Sequence, residues 1–164
     1  ADPIRIFPFV ESTFGKEYDY ATLQHLKTFK SSSSYDTYGN DTSNIQLIHP
    51  FSLNENALAN QFDHQTTVET KYSNPDIANW WINKPLYITT TTRFKTENNI
   101  MNSSYFTFYE FGHSNYSLLH TKSNYPNNNF SDTLSTRTEY AYDAYGNMIS
   151  QKHSAPNAQP ALAS

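Results

Sequence analysis

The sequence contains no cysteine, which excludes disulfide bridges and every zinc site that depends on cysteine ligands. An excess of positive charge is also missing, because 11 Lys and Arg against 15 Asp and Glu leave a formal net charge of −4. Such a chain lacks the basic surface that nucleic-acid binding requires. No apolar run is long enough to cross a membrane as a helix. We therefore expect no disulfide framework, no nucleic-acid partner and no membrane-spanning helix.

Apolar residues are few, whereas tyrosine, phenylalanine and small polar residues are abundant. Hydrophobic residues make up 37% of the chain, and aromatic residues alone make up 16%. A tyrosine ring buries a flat apolar surface while its hydroxyl group stays hydrated. This mixture favours a sheet that is wet on at least one face over a domain with an ordinary apolar core.

Two stretches, residues 35–40 and 142–147, share the pattern Tyr-Asp-x-Tyr-Gly-Asn. Aspartate accepts hydrogen bonds from nearby backbone amides, glycine adopts a positive φ without a Cβ clash, and asparagine tolerates the same region. The tyrosines favour the flanking strands. Each stretch is therefore predicted to be the turn of a β-hairpin. The predicted turn residues are Tyr35, Asp36, Tyr38, Gly39, Asn40, Tyr142, Asp143, Tyr145, Gly146 and Asn147.

Alternating residue patterns predict strands along most of the chain. The clearest runs over residues 86–95, where two sets of side chains alternate between opposite faces. Helical residues are grouped only at 54–60, a short helical turn is expected at 77–81, and a helix over 21–27 is the alternative to a strand there. The predicted fold class is all-β, an antiparallel meander of hairpins with little helix. The other predicted strands are 18–35, 45–48, 66–72, 104–111, 117–123, 133–142 and 148–153.

The repeated pattern resembles the YD motif of the RHS/YD-repeat proteins. Within that family, the chain is most similar to the middle region of the B component of bacterial Tc insecticidal toxins and SpvB-like toxins. Residues 67–74 and 79–86 are similar to the family's Tyr-x-Asn and Trp-x-Gly-Arg segments between repeats. Residues 109–112, followed by Leu-Leu-His at 118–120, resemble a degenerate repeat. One departure is that Asn83 and Lys84 stand where the family carries Gly-Arg.

The resemblance covers residues 16–154 and implies a structural role. In that family the repeats form a hollow β-sheet cocoon around a cytotoxic C-terminal region. The implied partners are the rest of the same polypeptide and the other components of the toxin complex, and the implied location is extracellular, as for a secreted virulence factor. Residues 1–15 are interpreted as an irregular or edge segment and residues 155–164 as a tail; 1–3 and 161–164 resemble tag remnants.

Patterns that carry catalysis or metal binding are missing from the sequence. The six histidines form no zinc motif, and no Gly-x-Ser-x-Gly elbow or phosphate-binding glycine loop is present. Capping of turns explains Asp36 and Asp143 better than acid–base chemistry does. The family's autoproteolytic aspartates have no matching motif here. We therefore expect no enzymatic activity, catalytic residue, metal or cofactor.

Trp80 and Trp81 are the candidate residues for an aromatic binding platform. They are predicted either to stack on a saccharide or to anchor a loop on the sheet, and anchoring is favoured because large aromatic rings are mostly buried. The alternative function is therefore a YD-repeat adhesin that binds a cell-surface glycan or protein. Asn-x-Ser/Thr sequons, which matter only in a eukaryotic secretory host, begin at Asn40, Asn102, Asn115 and Asn129.

Overall fold

The computed structural model describes residues 9–78, 81–95, 99–110, 113–127 and 134–155. Nine strands and one short helix lie within these ranges. The strands are β1 (Ser12–Tyr18), β2 (His25–Tyr35), β3 (Asp41–His49), β4 (His64–Tyr72), β5 (Pro85–Phe94), β6 (Ile100–Phe108), β7 (Leu119–Pro126), β8 (Thr136–Tyr142) and β9 (Met148–Ser154), and helix α1 is Glu55–Gln61.

All nine strands form one antiparallel sheet in sequence order, with β1 and β9 at its two edges. Every strand pairs with the next one along the chain, as short connections between antiparallel strands require. The predicted all-β meander is therefore confirmed, with one strand more than expected. Most of the additional strand, β1, lies before residue 18, where the first strand was predicted to begin.

The sheet is a single layer without an ordinary apolar core. Among the described residues, Leu58 is the only hydrophobic residue that is fully buried, whereas nine polar residues are buried. Both faces of most strands are therefore only partly covered, which explains the low aliphatic content of the sequence.

Small hydroxyl and amide side chains connect neighbouring strands on both faces. The hydroxyl groups of Thr107 and Thr121 lie 2.8 Å apart across β6 and β7. Ser104 donates to Asn124 Oδ1 at 2.9 Å on the opposite face. Each such bond contributes about 1 kcal/mol, so many are needed to replace the stabilisation that a buried core supplies.

Helix α1 covers one end of β2 and β3 and forms the only locally thickened part of the described structure. Its N-terminus is capped by Asn54, whose side chain accepts a hydrogen bond from Ala57 N at 2.7 Å. Lys30 on β2 forms an ion pair with Glu55 at 2.8 Å. Leu58 then packs its fully buried side chain against the sheet. The helix predicted at 54–60 is confirmed, with a shift of one residue.

The strand predicted over residues 18–35 and the alternative helix over 21–27 are both wrong for the segment before β2. Residues 19–24 form a turn, because Asp19 Oδ1 accepts hydrogen bonds from the amides of Ala21 and Thr22 at 3.0 and 2.7 Å. Leu23 completes the turn with a φ of 55°. Capping by the Asp19 side chain therefore outweighs both the alternating pattern and the helical propensity of this segment.

The helical turn predicted at 77–81 is also wrong in its described part. Asp76 and Trp81 form an isolated antiparallel bridge, with backbone hydrogen bonds of 3.1 Å and 2.9 Å between them. Residues 77 and 78 form a tight turn inside that bridge. The two backbone hydrogen bonds of the bridge pair Trp81 with Asp76 in an extended arrangement, so Trp81 does not belong to a helical turn.

Leu58→Ala is expected to destabilise the protein by about 2–3 kcal/mol, because it removes a fully buried side chain and leaves a cavity. Leu26→Ala on β2 is the matched control, since Leu26 is 54% exposed. Urea melts followed by tryptophan fluorescence measure both variants. Equal losses would contradict the conclusion that the contact between α1 and the sheet is the main apolar packing of this structure.

Candidate functional site at the turn edge of the sheet

The second YD motif forms a turn that is organised by one carboxylate. Asp143 Oδ1 accepts hydrogen bonds from the amides of Tyr145 and Asn147, both at 2.9 Å. Asp143 Oδ2 accepts a third from Asn147 Nδ2 at 3.0 Å. The backbone closes the turn, because Asp143 N donates to Asn147 O and Gly146 N donates to Asp143 O. Gly146 has the positive φ that was predicted, 83°.

The first YD motif repeats this geometry almost atom for atom. Asp36 accepts hydrogen bonds from Tyr38 N at 2.8 Å, from Asn40 N at 2.9 Å and from Asn40 Nδ2 at 2.9 Å. Gly39 has a φ of 85°. The two turns join β2 to β3 and β8 to β9. The prediction that both motifs lie at hairpin turns is therefore confirmed.

The asparagine of each motif has a different role from the predicted one. Neither Asn40 nor Asn147 has a positive φ. Each instead donates both its backbone amide and its side-chain amide to the aspartate four residues earlier. A carboxylate with two oxygens accepts this pair of donors, whereas an asparagine at the Asp position would offer one oxygen only.

These hydrogen bonds lower the pKa of both aspartates. For Asp143 the principal cause is the side-chain hydrogen bond from Asn147, followed by the backbone hydrogen bond from the same residue. For Asp36, desolvation by partial burial acts in the opposite direction, but the hydrogen bonds from Asn40, Tyr38 and Gly39 outweigh it and the pKa is lowered. The ionised carboxylate is therefore the form that holds each turn.

The hairpin ends lie side by side and are linked by hydrogen bonds and a ring contact into a continuous row, which we call the turn edge. Asn40 of the first YD turn donates to Ile82 O at 2.6 Å, in the loop between β4 and β5. That loop receives a hydrogen bond from Tyr116, whose hydroxyl donates to Asp76 Oδ2 at 3.0 Å. Asn115 then donates to Tyr142 O at 3.2 Å, beside the second YD turn.

Trp81 lies in the middle of the turn edge, and its ring contacts two neighbours. Its ring centroid is 4.5 Å from that of Tyr116, in an edge-to-face arrangement. The ammonium group of Lys84 is 4.2 Å from the Trp81 ring centroid and 5.1 Å from that of Tyr116. These are the contacts of an anchoring residue, which joins the loop between β4 and β5 to the loop between β6 and β7. Trp80 lies outside the described residues.

The surroundings of this cluster shift the pKa of two of its groups. Desolvation lowers the pKa of Lys84, against the opposing effect of the Asp76 carboxylate. Desolvation and the hydrogen bond to Asp76 raise the pKa of Tyr116. The Lys84 ammonium group packs against the rings of Trp81 and Tyr116.

Four tyrosines mark the turn edge at a regular spacing, 37, 37 and 33 residues apart. They are Tyr35, Tyr72, Tyr109 and Tyr142, and each ends an even-numbered strand or directly follows one. The pairing register shifts at or one residue before each of them. The described part of the chain therefore contains four related hairpin units, and the YD motif is present in two of them.

The hydroxyl groups of these tyrosines tie neighbouring strands together. Tyr72 and Tyr142 donate to the carbonyl oxygens of Asp41 and Leu119, the first residues of the preceding strands, both at 3.0 Å. Tyr35 donates to Val10 O at 3.1 Å. Tyr109 differs, because its hydroxyl reaches forward to Tyr140 O at 2.8 Å.

The structure separates the predicted tyrosines of the YD motifs into two groups. The first tyrosine of each motif makes the strand-linking hydrogen bond, whereas the second projects from the turn: Tyr38 is 40% exposed and Tyr145 is 91% exposed. Sequence reasoning missed Tyr116, Asn115 and Lys84 as linking residues. The regular tyrosine spacing is the sequence signal that could have identified the two hairpins between the YD turns, which lack the full YD motif.

No group of three metal-capable side chains occurs in the part of the chain that the structure describes. No helix within those ranges is long and apolar enough to cross a membrane. Comparison with protein-family models, with curated proteins and with solved structures finds no match to this chain. The function must therefore be inferred from the sheet, its turn edge and the resemblance of its motifs.

Gly146→Val is expected to destabilise the protein by about 1–3 kcal/mol, the cost of forcing a β-branched residue to a positive φ. An added Cβ would meet Leu118 Cδ1 at 3.7 Å, an ordinary contact, so a clash of the Cβ atom does not account for the loss. Ala144→Ser, in the same turn, should stay within about 0.5 kcal/mol of the parent. Urea melts of both variants measure the free energy of unfolding. A Gly146→Val variant as stable as the parent would contradict the conclusion that Gly146 needs a positive φ.

Acid is expected to weaken both YD turns. Because the folded-state pKa values of Asp36 and Asp143 are lowered, these carboxylates stabilise the fold above the pKa of an unfolded aspartate, about 3.9. That stability is lost as the pH falls through the folded-state values. Urea midpoints measured between about pH 6 and pH 2.5 should therefore decline more steeply for the parent than for an Asp36→Asn/Asp143→Asn double variant. Parallel declines would show that the carboxylates do not hold the turns.

Proposed function

We propose that this chain is a structural segment of an RHS/YD-repeat shell, of the kind found in Tc-type toxins, in which the sheet forms part of a wall around a cytotoxic region. Its partners are then the remainder of the same polypeptide and the other components of the toxin complex. The chain contributes no catalytic group in this proposal, and it acts outside the bacterial cell. The evidence for the proposal comes from the architecture of the sheet and from the resemblance of the two motifs.

The observation that carries the proposal is the single-layer sheet with a linked turn edge. A globular binding domain normally buries one sheet face against a second layer, whereas here the layer is one sheet thick over most of its area. A wall needs only this thickness, provided that its strands are held together by something other than a core. The cross-strand hydroxyl bonds and the tyrosine ties provide that stabilisation.

The repeated geometry of the hairpin units supports the same function. The YD turns have the same hydrogen bonds, and each turn or loop of the edge touches the next. Repetitive units of this kind contact only their neighbours, so a sheet built from them extends by adding further units. The resemblance of residues 16–154 to YD-repeat proteins agrees with such an extended sheet.

The adhesin hypothesis depended on Trp80 and Trp81 as a binding platform. The Trp81 ring is half-buried between Tyr116 and Lys84, which favours anchoring over saccharide stacking at this position. The shell is therefore the better-supported function for the turn edge.

Cysteine labelling tests the shell, because the chain has no cysteine of its own. Asn102 and Thr107 are both exposed on β6 and point to opposite faces, since five residues separate them along one strand. Asn102→Cys and Thr107→Cys would be introduced into the toxin polypeptide that carries the chain. A polyethylene-glycol maleimide, which is too bulky to enter a closed shell, would then be added.

In a shell, one of the two cysteines should react at least about tenfold more slowly than the other, because it faces the enclosed space. The same two variants in the 164-residue chain are the control, and there both should react at similar rates. Equal reaction of both cysteines in the whole polypeptide would contradict the shell proposal.

A further inference from the structure

A shallow, open groove of about 580 Å³, lined mainly by residues with polar side chains, lies on one face of strands β7, β8 and β9. The strand register places its side chains in rows, since Lys122 is paired with Thr138, which is paired with His153. In the next row Tyr140 is paired with Gln151. The Cα atoms of Lys122 and His153 are thus separated by about two strand spacings, roughly 10 Å. That width accommodates a pyranose ring.

Several groups in this groove have hydrogen-bonding capacity that the protein does not use. Within the described residues, the Tyr140 hydroxyl has no hydrogen-bond partner, and its ring is stacked on no other ring. Among the described residues, no carboxylate lies within ion-pairing distance of the Lys122 ammonium group. Its nitrogen lies 5.8 Å from the centroid of the Phe106 ring. A half-buried ring beside unused donors is the arrangement that binds a ligand with one apolar face and several hydroxyl groups.

The remaining groove side chains are held in place by one another. Thr138 Oγ1 lies 3.0 Å from His153 Nδ1, and His153 Nε2 lies 3.0 Å from Gln151 Nε2. Asn124 Nδ2 donates to Thr136 Oγ1 at 3.2 Å. Amide and imidazole groups that are oriented in this way lose little freedom when a ligand binds.

Charge narrows the class of ligand. None of the described groove residues is aspartate or glutamate, while Lys122 supplies a cation. The ion pair of Arg137 with Glu139 lies on the opposite face, because these two residues alternate with Thr138 and Tyr140 along β8. The positive charge of Lys122 therefore attracts a ligand that carries one carboxylate, and no acidic side chain among the described groove residues repels it.

We propose that this groove binds a carboxylated saccharide, with the sugar ring against Tyr140 and its carboxylate on Lys122. Asn124 and Gln151 are placed to contact the hydroxyl groups of the sugar. This site is separate from the Trp81 cluster and does not depend on the shell function. The groove lies on the face of Asn102, since Ser104 and Phe106 on that face are paired with Asn124 and Lys122.

Isothermal titration tests the proposal with sialyllactose and trigalacturonate as carboxylated probes and with lactose as the neutral counterpart. Both carboxylated probes should bind, and lactose should bind at least about tenfold more weakly, the effect of losing one charge-assisted hydrogen bond. Lys122→Gln should weaken the carboxylated probes by about the same factor. Lys152→Gln is the matched control, because Lys152 is paired with Glu139 on the opposite face of the same sheet, and it should leave binding unchanged.

Tyr140→Phe provides a second variant that removes only the hydroxyl group, in case Lys122→Gln does not fold; it should weaken the carboxylated probes measurably. Amide chemical-shift changes on adding sialyllactose should centre on β7–β9 and spare β1–β3. Absence of binding, equal binding of lactose, equal loss in the Lys122→Gln and Lys152→Gln variants, or shifts that centre elsewhere would each overturn the proposal. Binding of inorganic phosphate or polyglutamate as tight as that of the saccharides would also overturn it, because the site would then recognise charge alone.

Discussion

Hydrogen bonds between neighbouring strands stabilise this structure, because the described part of the chain supplies no second layer for most of the sheet. Apolar burial is concentrated where α1 places Leu58 on β2 and β3. Elsewhere, ladder hydrogen bonds, hydroxyl pairs and tyrosine ties connect one strand to the next. A sheet of this kind can remain polar on both faces, which suits a wall between two aqueous spaces.

The scarcity of core packing also explains why the two YD turns have the same hydrogen bonds. When little core packing is present, the register of each hairpin must be set at its end. The Asp carboxylate does this by holding two backbone amides and one asparagine side chain in a fixed arrangement. Gly39 and Gly146 supply the positive φ that closes the turn. Substitutions in these five-residue turns therefore act on the pairing of entire strands.

Contacts between neighbouring turns connect the hairpin ends into one row along the sheet. The turn edge joins hairpin ends that are far apart in the sequence. Its row of hydrogen bonds and one edge-to-face ring contact includes Asn40, Asp76, Trp81, Asn115 and Tyr116. Stabilisation of one turn thus supports its neighbours. The groove on β7–β9 lies on a face of the sheet, away from this row, so the proposed binding surface and the turn edge occupy different parts of one sheet.

The sequence by itself determined the all-β class, the helix near residues 54–60, and both YD turns with their positive-φ glycines, because turn chemistry and strand alternation are local properties of the chain. It did not determine the turn at Asp19, where side-chain capping competed with broader patterns, or the bridge between Asp76 and Trp81. Only the tertiary structure brought Asn40 to Ile82 and aligned Lys122 with His153, since these relations depend on strand register. The alignment of two distant strands depends on the pairing register of every hairpin between them, so it cannot be read from one local stretch of sequence.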